Sequence, residues 1–229
     1  LKIDRGLSPE NNLRKSLDQR LKNKAKELKL PVENVRKRFV FQVFLSRLFS
    51  SSFRDSWVLL GGVALVARHQ GGRTTKDIDL AYQERLDDVQ GIYEKLKTAV
   101  NENSLGDDFN FQLGDPRIHE SFDGYMATTC KISVVASIGA KKFDDFWLDI
   151  VQARHTGEPD LVRHDPILDY PAETSHPPFP VVPIEDHLAD KICAVYERHR
   201  NNTPSTRYRD LADIAQIVSK SEINAEYLC

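Results

Sequence analysis

A short apolar run that ends abruptly in two glycines is the feature that most constrains this chain. Trp57-Val58-Leu59-Leu60 has the length and side chains of a short buried strand. Gly61-Gly62 follows at once, and helical spacing resumes over 63–69. Glycines at such a junction let the backbone turn sharply and approach a ligand closely. The free N–H groups at the following helix start would accept phosphate. No Gly-Lys-Ser/Thr follows, which excludes a Walker loop, and by itself the pair also fits a plain strand-to-helix turn. Beyond a Gly71-Gly72 turn, Asp77–Tyr82 reads as a second strand. Side chains alternate along a strand, so Asp77 and Asp79 share one face and Ile78 and Leu80 the other. Two carboxylates on one face repel each other, and a cation between them relieves this; hard oxygen ligands suit Mg²⁺. The competing reading is a solvent-facing acidic edge strand. With 21 Asp among 229 residues the triplet alone is a weak signal, and its context gives it value.

The length allows one large domain or two small ones at roughly 100–200 residues each. With 40% hydrophobic and 29% charged residues the composition is that of an ordinary soluble chain. The net charge of −2 conceals an asymmetry: residues 1–50 hold 13 Lys+Arg against 5 Asp+Glu, and residues 51–229 hold 19 against 29. A basic end on an acidic body suits a protein that handles a polyanion, although a solvated basic helix face gives the same count. The longest apolar stretch, 57–67, is too short to span a bilayer, and residues 1–30 hold no signal-peptide core. The three cysteines form no CxxC pair and the seven histidines no HExxH, so neither a disulfide framework nor a zinc hydrolase is indicated. A cytoplasmic location fits. The chain begins at Leu1 rather than Met and is expected to be a fragment of a longer protein.

Ser8-Pro9-Glu10 is a helix start, and Leu13, Leu17, Leu21, Ala25 and Leu28 continue at helical spacing. A second helix is expected over 35–49, a third over 86–100, strands over 126–138 and 143–151, and C-terminal helices over 185–199 and about 208–220. Residues 155–183 hold seven of the eleven prolines and read as an extended connector outside the core. The expected organisation is therefore basic helices (1–54), an α/β core (55–154), a Pro-rich connector (155–184) and a C-terminal helical part that completes the site (185–229).

The strand, Gly61-Gly62, short helix and Arg73-Thr74-Thr75-Lys76-Asp77-Ile78-Asp79-Leu80 together resemble the nucleotidyltransferase signature of the DNA polymerase β superfamily. More closely they resemble the AbiEii family, the MenT-type nucleotidyltransferase toxins, whose pattern matches at Gly61, Gly62, Arg73, Thr75, Asp77, Ile78, Asp79 and Leu80. Ala189-Asp190-Lys191-Ile192-Cys193-Ala194 resembles the family's Ala-Glu-Lys-x-x-Ala segment. Arg207-Tyr208-Arg209-Asp210-Leu211-Ala212-Asp213-Ile214 resembles its Arg-x-(Lys/Arg)-Asp-x-x-Asp-(Leu/Ile) segment. The resemblance covers most of 13–220. It implies a polymerase β-like α/β core, a mixed sheet with helices, flanked by helical N- and C-terminal parts. The sequence departs from the family at Leu148-Asp149-Ile150-Val151, which lacks the expected glycine. Asp149 shares a strand face with Trp147 and Val151 and is open as a third metal ligand or a base; Asp144 and Asp145 read as a solvated turn.

On the first C-terminal helix, Leu188, Ile192 and Val195 form the expected buried stripe, with Lys191 at its margin. A lysine there can aim its ammonium into a cleft or snorkel at the surface. Asp210 and Asp213 share a face of the last helix, where Asp210 could simply complement the helix dipole. The resemblance implies instead that they line the site, Asp210 foremost, with Arg207 serving RNA or phosphate. It implies transfer of NMP from an NTP to RNA at a tRNA 3′ end by a toxin with a cognate antitoxin, blocking translation. Asp77 and Asp79, with Asp149, would hold two Mg²⁺ or Mn²⁺ ions about 3.5–4 Å apart. Gly61, Gly62, Thr75, Arg73 and Lys191 would bind the triphosphate, and the basic N-terminal segment would grip RNA. Two alternatives stand beside this: modification of a protein or small molecule, and a non-catalytic nucleotide- or RNA-binding module.

Overall fold

The computed structural model of the protein describes residues 8–69, 75–85, 87–120, 128–154, 157–172, 174–199, 203–204 and 207–228. Helix α1 (Pro9–Leu28) starts where the sequence places it, with the Ser8 hydroxyl accepting from the Asn11 N–H and proline in the first turn. Lys29, in the left-handed conformation, ends it. Helix α2 (Val32–Ser50) is apolar almost all round and accordingly buried, from Val35 and Phe39 through Phe44 to Phe49. Strand β1 (Trp57–Leu60) leads straight into α3 (Gly61–Arg68), which begins at the first glycine rather than at Val63. Strand β2 (Asp77–Tyr82) and helix α4 (Val89–Asn101) follow, the latter capped by the Asp88 carboxylate accepting from Gly91 N–H at 2.8 Å. Of the expected 86–100 helix, Leu86 lies outside the described residues, as does Met126 of the expected strand.

Strands β3 (Phe109–Leu113) and β4 (Arg117–Glu120) were not anticipated; both pair antiparallel with successive halves of β5 (Thr128–Ile138). β6 (Lys141–Gln152) pairs antiparallel with β5 and parallel with β2. Strand β7 (Asp160–Val162) and β8 (Phe179–Val181) complete a mixed sheet of order β3-β5-β6-β2-β1-β8-β7, with β4 beside β5. Helices α5 (Ile184–Tyr196) and α6 (Tyr208–Lys220) follow, with the short pair β9 (Arg198–His199) and β10 (Thr203–Pro204) between them. Among the described residues no helix is long and apolar enough to cross a membrane.

Alternation divides the sheet into two unlike faces. Ile78, Leu80, Ile132, Val134, Phe146, Leu148 and Ile150 are buried at 5% exposure or less, on the face that α2 covers. Phe44 meets Phe111 and Phe146 edge-on, each at 5.3 Å between centroids, and Phe41 meets Phe146 at 5.0 Å. Asp77 and Asp79 of β2 and Trp147 and Asp149 of β6 stand on the opposite face. Arg47 is not part of a solvated basic face: it is 3% exposed and bonds both Asp107 oxygens, at 2.5 and 2.6 Å, together with the Val100 and Phe109 carbonyls. A guanidinium inside a core persists only when its donors are satisfied in this way.

The Pro-rich stretch corrects the expectation of a connector outside the core. β8 lies between β1 and β7, with Val181 opposite Leu59 and Val182 N–H donating to Leu59 O at 3.0 Å. Phe179, Val181 and Val182 are at most 1% exposed. Proline's extended backbone suits a strand of only three residues, because few ladder bonds are forgone. Phe179→Ala is expected to lower the unfolding free energy by ~3–5 kcal/mol, as for other buried phenylalanines. Leu161→Ala, at a position 69% exposed in the neighbouring strand, should change it by less than about 0.5 kcal/mol. Urea unfolding checks the pair, and equal small effects would return the segment to a connector.

Candidate active site

Register brings the carboxylates together. The parallel pairing of β2 with β6 sets Asp79 directly opposite Asp149 and Asp77 opposite Trp147. On the other side of β6, β5 sets Lys131 opposite Asp149, with its Nζ 3.1 Å from Asp149 Oδ1. Burial comes first among the influences on Asp79; with the charges of Asp149 and Asp77 it pushes the carboxyl up from 3.8 to about 6, against the pull of Lys191 and Lys131. Asp149 Oδ1 is buried and accepts no hydrogen bond of good geometry, despite the nearby ammonium.

Gly61 is required twice over. Its φ is +63°, and a Cβ there would overlap the Asp79 carboxylate. A Cβ on Gly62 would stand 3.1 Å from Thr75 Cβ, so Thr75 lies against the glycine pair. The Thr75 hydroxyl donates to Asp77 O at 3.2 Å. Helix α3 starts at this point with Leu60 as its N-cap and no side-chain capping bond. Its first N–H groups therefore open beside the carboxylates, where a phosphate would satisfy them. Arg73, expected to join them, lies outside the described residues.

Helices α5 and α6 close the site from the other side. Leu65 of α3, Ile184 and Leu188 of α5 and Ile217 of α6 form a small apolar cluster that docks the pair. Lys191 is buried and its Nζ lies 2.9 Å from Asp210 Oδ1 and 2.8 Å from Asp213 Oδ2. Asp210 and Asp213 thus act together on Lys191, and Asp213 is the more deeply buried at 2% exposure. Arg207, at the start of α6, is exposed and reaches Asp210 only at 3.8 Å. The expected stripe on α5 is corrected: Ile192 is 36% exposed, and the buried residues are Ile184, His187, Leu188 and Lys191. The two carboxylates of α6 draw Lys191 inward, rotating Ile192 to the surface. His187, one turn before Lys191, is pushed down to about 3 by burial and then by Lys191 and Arg68, so it adds no charge there.

Lys131 is the participant that sequence reasoning missed. Its signal was alternation: Cys130, Ile132 and Val134 are apolar, which leaves Lys131 on the opposite face of a strand. Asp144 and Asp145 stand within β6 rather than in a turn, and Asp144 is less solvated than expected, since Lys37 Nζ bonds its carboxylate at 2.5 Å. A cavity of about 280 Å³ lies behind α3, against α1, α2 and residues 163–167, and among the described site residues it touches Thr75.

A divalent cation fits the donor set. Asp77, Asp79 and Asp149 offer hard oxygens, and burial, followed by the charges of Asp149 and Asp77, raises the Asp79 carboxyl, a cost that a dication would relieve. Among the described residues no three acidic, His or Cys side chains form a closed metal cluster. Mg²⁺ often takes one or two protein carboxylates and completes its shell with water and substrate phosphates.

A β1-glycine-α3 turn abutting paired carboxylates on a mixed sheet, with a lysine brought in from behind, defines a nucleotidyltransferase core. The chain belongs to the AbiEii family, described as nucleotidyl transferase AbiEii toxin of type IV toxin–antitoxin systems, whose model matches residues 43–228. Such a toxin takes an NTP as substrate and has an antitoxin as partner. Among solved structures it is similar to MenT4, the nucleotidyltransferase toxin Rv2826c of Mycobacterium tuberculosis H37Rv. That match has a TM-score of 0.58 at 18% identity and covers 91% of this chain and 67% of that one. It is also similar to JHP933 from Helicobacter pylori, at TM-score 0.53 and 16% identity over 86% of this chain and 72% of that one. A putative nucleotidyltransferase from H. pylori matches at TM-score 0.50 and 15% identity, over 86% and 74% of the two chains. At these identities the likeness is one of fold. A comparison with curated protein sequences finds no match.

The Asp79 carboxyl has a thermodynamic consequence. Folded Asp79 holds its proton more tightly than the unfolded chain does, so stability falls as pH rises from 3.8 through about 6, and the cost is complete above that window. In metal-free buffer, Asp79→Asn should therefore be more stable than the parent at pH 8 by about 3 kcal/mol and by far less at pH 4. Urea midpoints at the two pH values check this, and an equal difference at both contradicts it.

Proposed function

We propose that this toxin transfers a nucleoside monophosphate from an NTP to RNA, at a tRNA 3′ acceptor end, with Mg²⁺ or Mn²⁺ bound at Asp77, Asp79 and Asp149, and so blocks translation. The observation that carries the reading is the placement of Asp79 between Gly61 at the open start of α3 and Asp149 on β6. When bound, the metal neutralises the triphosphate and aligns attacking and leaving oxygens. The chain's own groups do the rest. The first N–H groups of α3, at Gly61 and Gly62, and the Thr75 hydroxyl hold the phosphates. Lys191, fixed by Asp210 and Asp213, directs an ammonium donor toward the leaving pyrophosphate, with Arg73 assisting. Asp149 either joins the metal ligands or takes the acceptor hydroxyl's proton on Oδ1.

The basic N-terminal segment supports an RNA partner in a narrower way than its composition implied. Arg14, Arg20, Arg36, Lys37 and Arg47 bond carboxylates or carbonyls of the protein itself. Lys15, Lys22 and Lys26 are exposed and, at 100° per residue, fall within an arc of about 40° along α1, and the exposed Lys29 follows at its C-cap. This stripe is the candidate grip on an RNA backbone. The use of those five cations in holding the fold favours a second reading, in which the acceptor is a protein or a small molecule.

Labelled NTPs incubated with tRNA or with protein extract separate these readings; label on tRNA is expected, and label confined to protein overturns the RNA assignment. Asp77→Ala is expected to lower transfer at least a thousandfold and to abolish growth inhibition, and full activity would overturn the metal-site reading. Replacing Lys15, Lys22, Lys26 and Lys29 by Ala is expected to weaken RNA binding and flatten its dependence on salt by up to about 0.7–0.9 for each phosphate no longer neutralised. An unchanged salt slope would make the stripe a solvated helix face.

A further inference from the structure

The register that joins Asp79 to Asp149 continues across the sheet. Asp149 stands opposite Lys131, and Lys131 opposite Arg117 of β4. Directly paired residues present their side chains on the same face. Four strands therefore place Arg117, Lys131, Asp149 and Asp79 in one row, two cations leading to two carboxylates. In the adjoining row Trp147 stands opposite Asp77. The Trp147 ring is half-buried, with the Arg117 guanidinium 5.5 Å and the Lys131 ammonium 5.6 Å from its centroid. An aromatic ring flanked by cations matches a single-stranded nucleic acid, whose bases stack while its phosphates are neutralised.

Direction follows from the chemistry of displacement. The attacking oxygen must approach the reacting phosphorus opposite the leaving pyrophosphate. The groups proposed to hold the pyrophosphate, Gly62, Thr75 and Lys191, belong to α3, its approach to β2, and α5. They lie on the β1 side of Asp79, and Asp149, Lys131, Trp147 and Arg117 lie on the β6, β5 and β4 side. Resting on the function proposed above, we infer that the acceptor enters over β4 and β5, with a base of its single-stranded 3′ end stacked on Trp147 and its phosphates met by Arg117 and Lys131. In the free protein Arg117, which is exposed, occupies the ring; an arriving base takes its place and the guanidinium turns to a phosphate. The acceptor oxygen then lies beside Asp149, and the bond formed from it to the α-phosphorus replaces the bond to pyrophosphate, which leaves on the Lys191 side. The hydroxyl proton passes to Asp149 or to solvent.

The protein has two tryptophans, and Trp57 is fully buried, so Trp147 reports on this face. A single-stranded RNA oligonucleotide with a free 3′ hydroxyl, added without NTP, is expected to quench the tryptophan emission, and the quench should vanish in Trp147→Phe. With saturating NTP, Trp147→Ala should raise KM for the oligonucleotide about tenfold, a size typical of removing one base stack, and leave KM for NTP within about twofold. Trp147→Phe should recover most of that affinity. Arg117→Ala should reduce the salt slope of oligonucleotide binding by about 0.7, the value for one neutralised phosphate on a single strand. A KM for RNA that is unchanged in Trp147→Ala, or a rise confined to NTP, overturns this acceptor path while leaving the transferase reading in place. Parent protein that labels protein and not RNA overturns the RNA assignment, and this path with it.

Discussion

The crowding of carboxylates around Asp79 is the constraint on which the arrangement of this molecule depends. Strand pairing sets Asp79 against Asp149, burial strips it of water, and its carboxyl is pushed up to about 6. Such a group is unfavourable for folding unless something positive faces it. The protein supplies two partial answers, Lys191 from the C-terminal helices and Lys131 from β5. Both lysines are themselves held by acids, so among the described residues the balance is incomplete. A divalent cation bound between the carboxylates would supply the positive charge that completes it.

The surrounding fold follows from keeping that site rigid and reachable. Gly61 can sit against Asp79 only because it has no Cβ and tolerates a positive φ. The same turn leaves the start of α3 without a side-chain cap, at the place proposed to receive the phosphates. Helix α2 seals the opposite face of the sheet with phenylalanines, and Arg47, saturated by Asp107 and two carbonyls, ties α2 to the start of β3. Apolar packing on one face permits the polar chemistry on the other.

Much of this was legible in the chain. The boundaries of β1, β2 and α6 were read from their residues because short apolar runs, alternation and helical spacing are local signals. The AbiEii resemblance was legible because Gly61-Gly62, Asp77-Ile78-Asp79, Lys191 and Asp210 stand in order along the sequence. The entry of the Pro-rich stretch into the sheet was not, since proline signals a loop and only the neighbouring β1 gives Val181 and Val182 a partner. The inward turn of Lys191 was legible only as one of two readings, because helical periodicity ranks Ile192 above a lysine until two carboxylates on another helix are in place.

By itself, then, the sequence determined the donors: which positions carry carboxylates, which carry ammonium groups, and where a glycine must stand for the backbone to come close. Tertiary structure alone decided their pairing. Strand register is a contact between segments some 70 residues apart for Asp79 and Asp149, and no local pattern encodes it. That pairing, with β5 beside it, set Trp147 beside Asp77 and Lys131 beside Asp149, while separate contacts tied Arg14, Arg20, Lys37 and Arg47 of the basic N-terminal segment to the rest of the fold. Local chemistry can name the groups a site needs, but burial and mutual repulsion are properties of their arrangement in space.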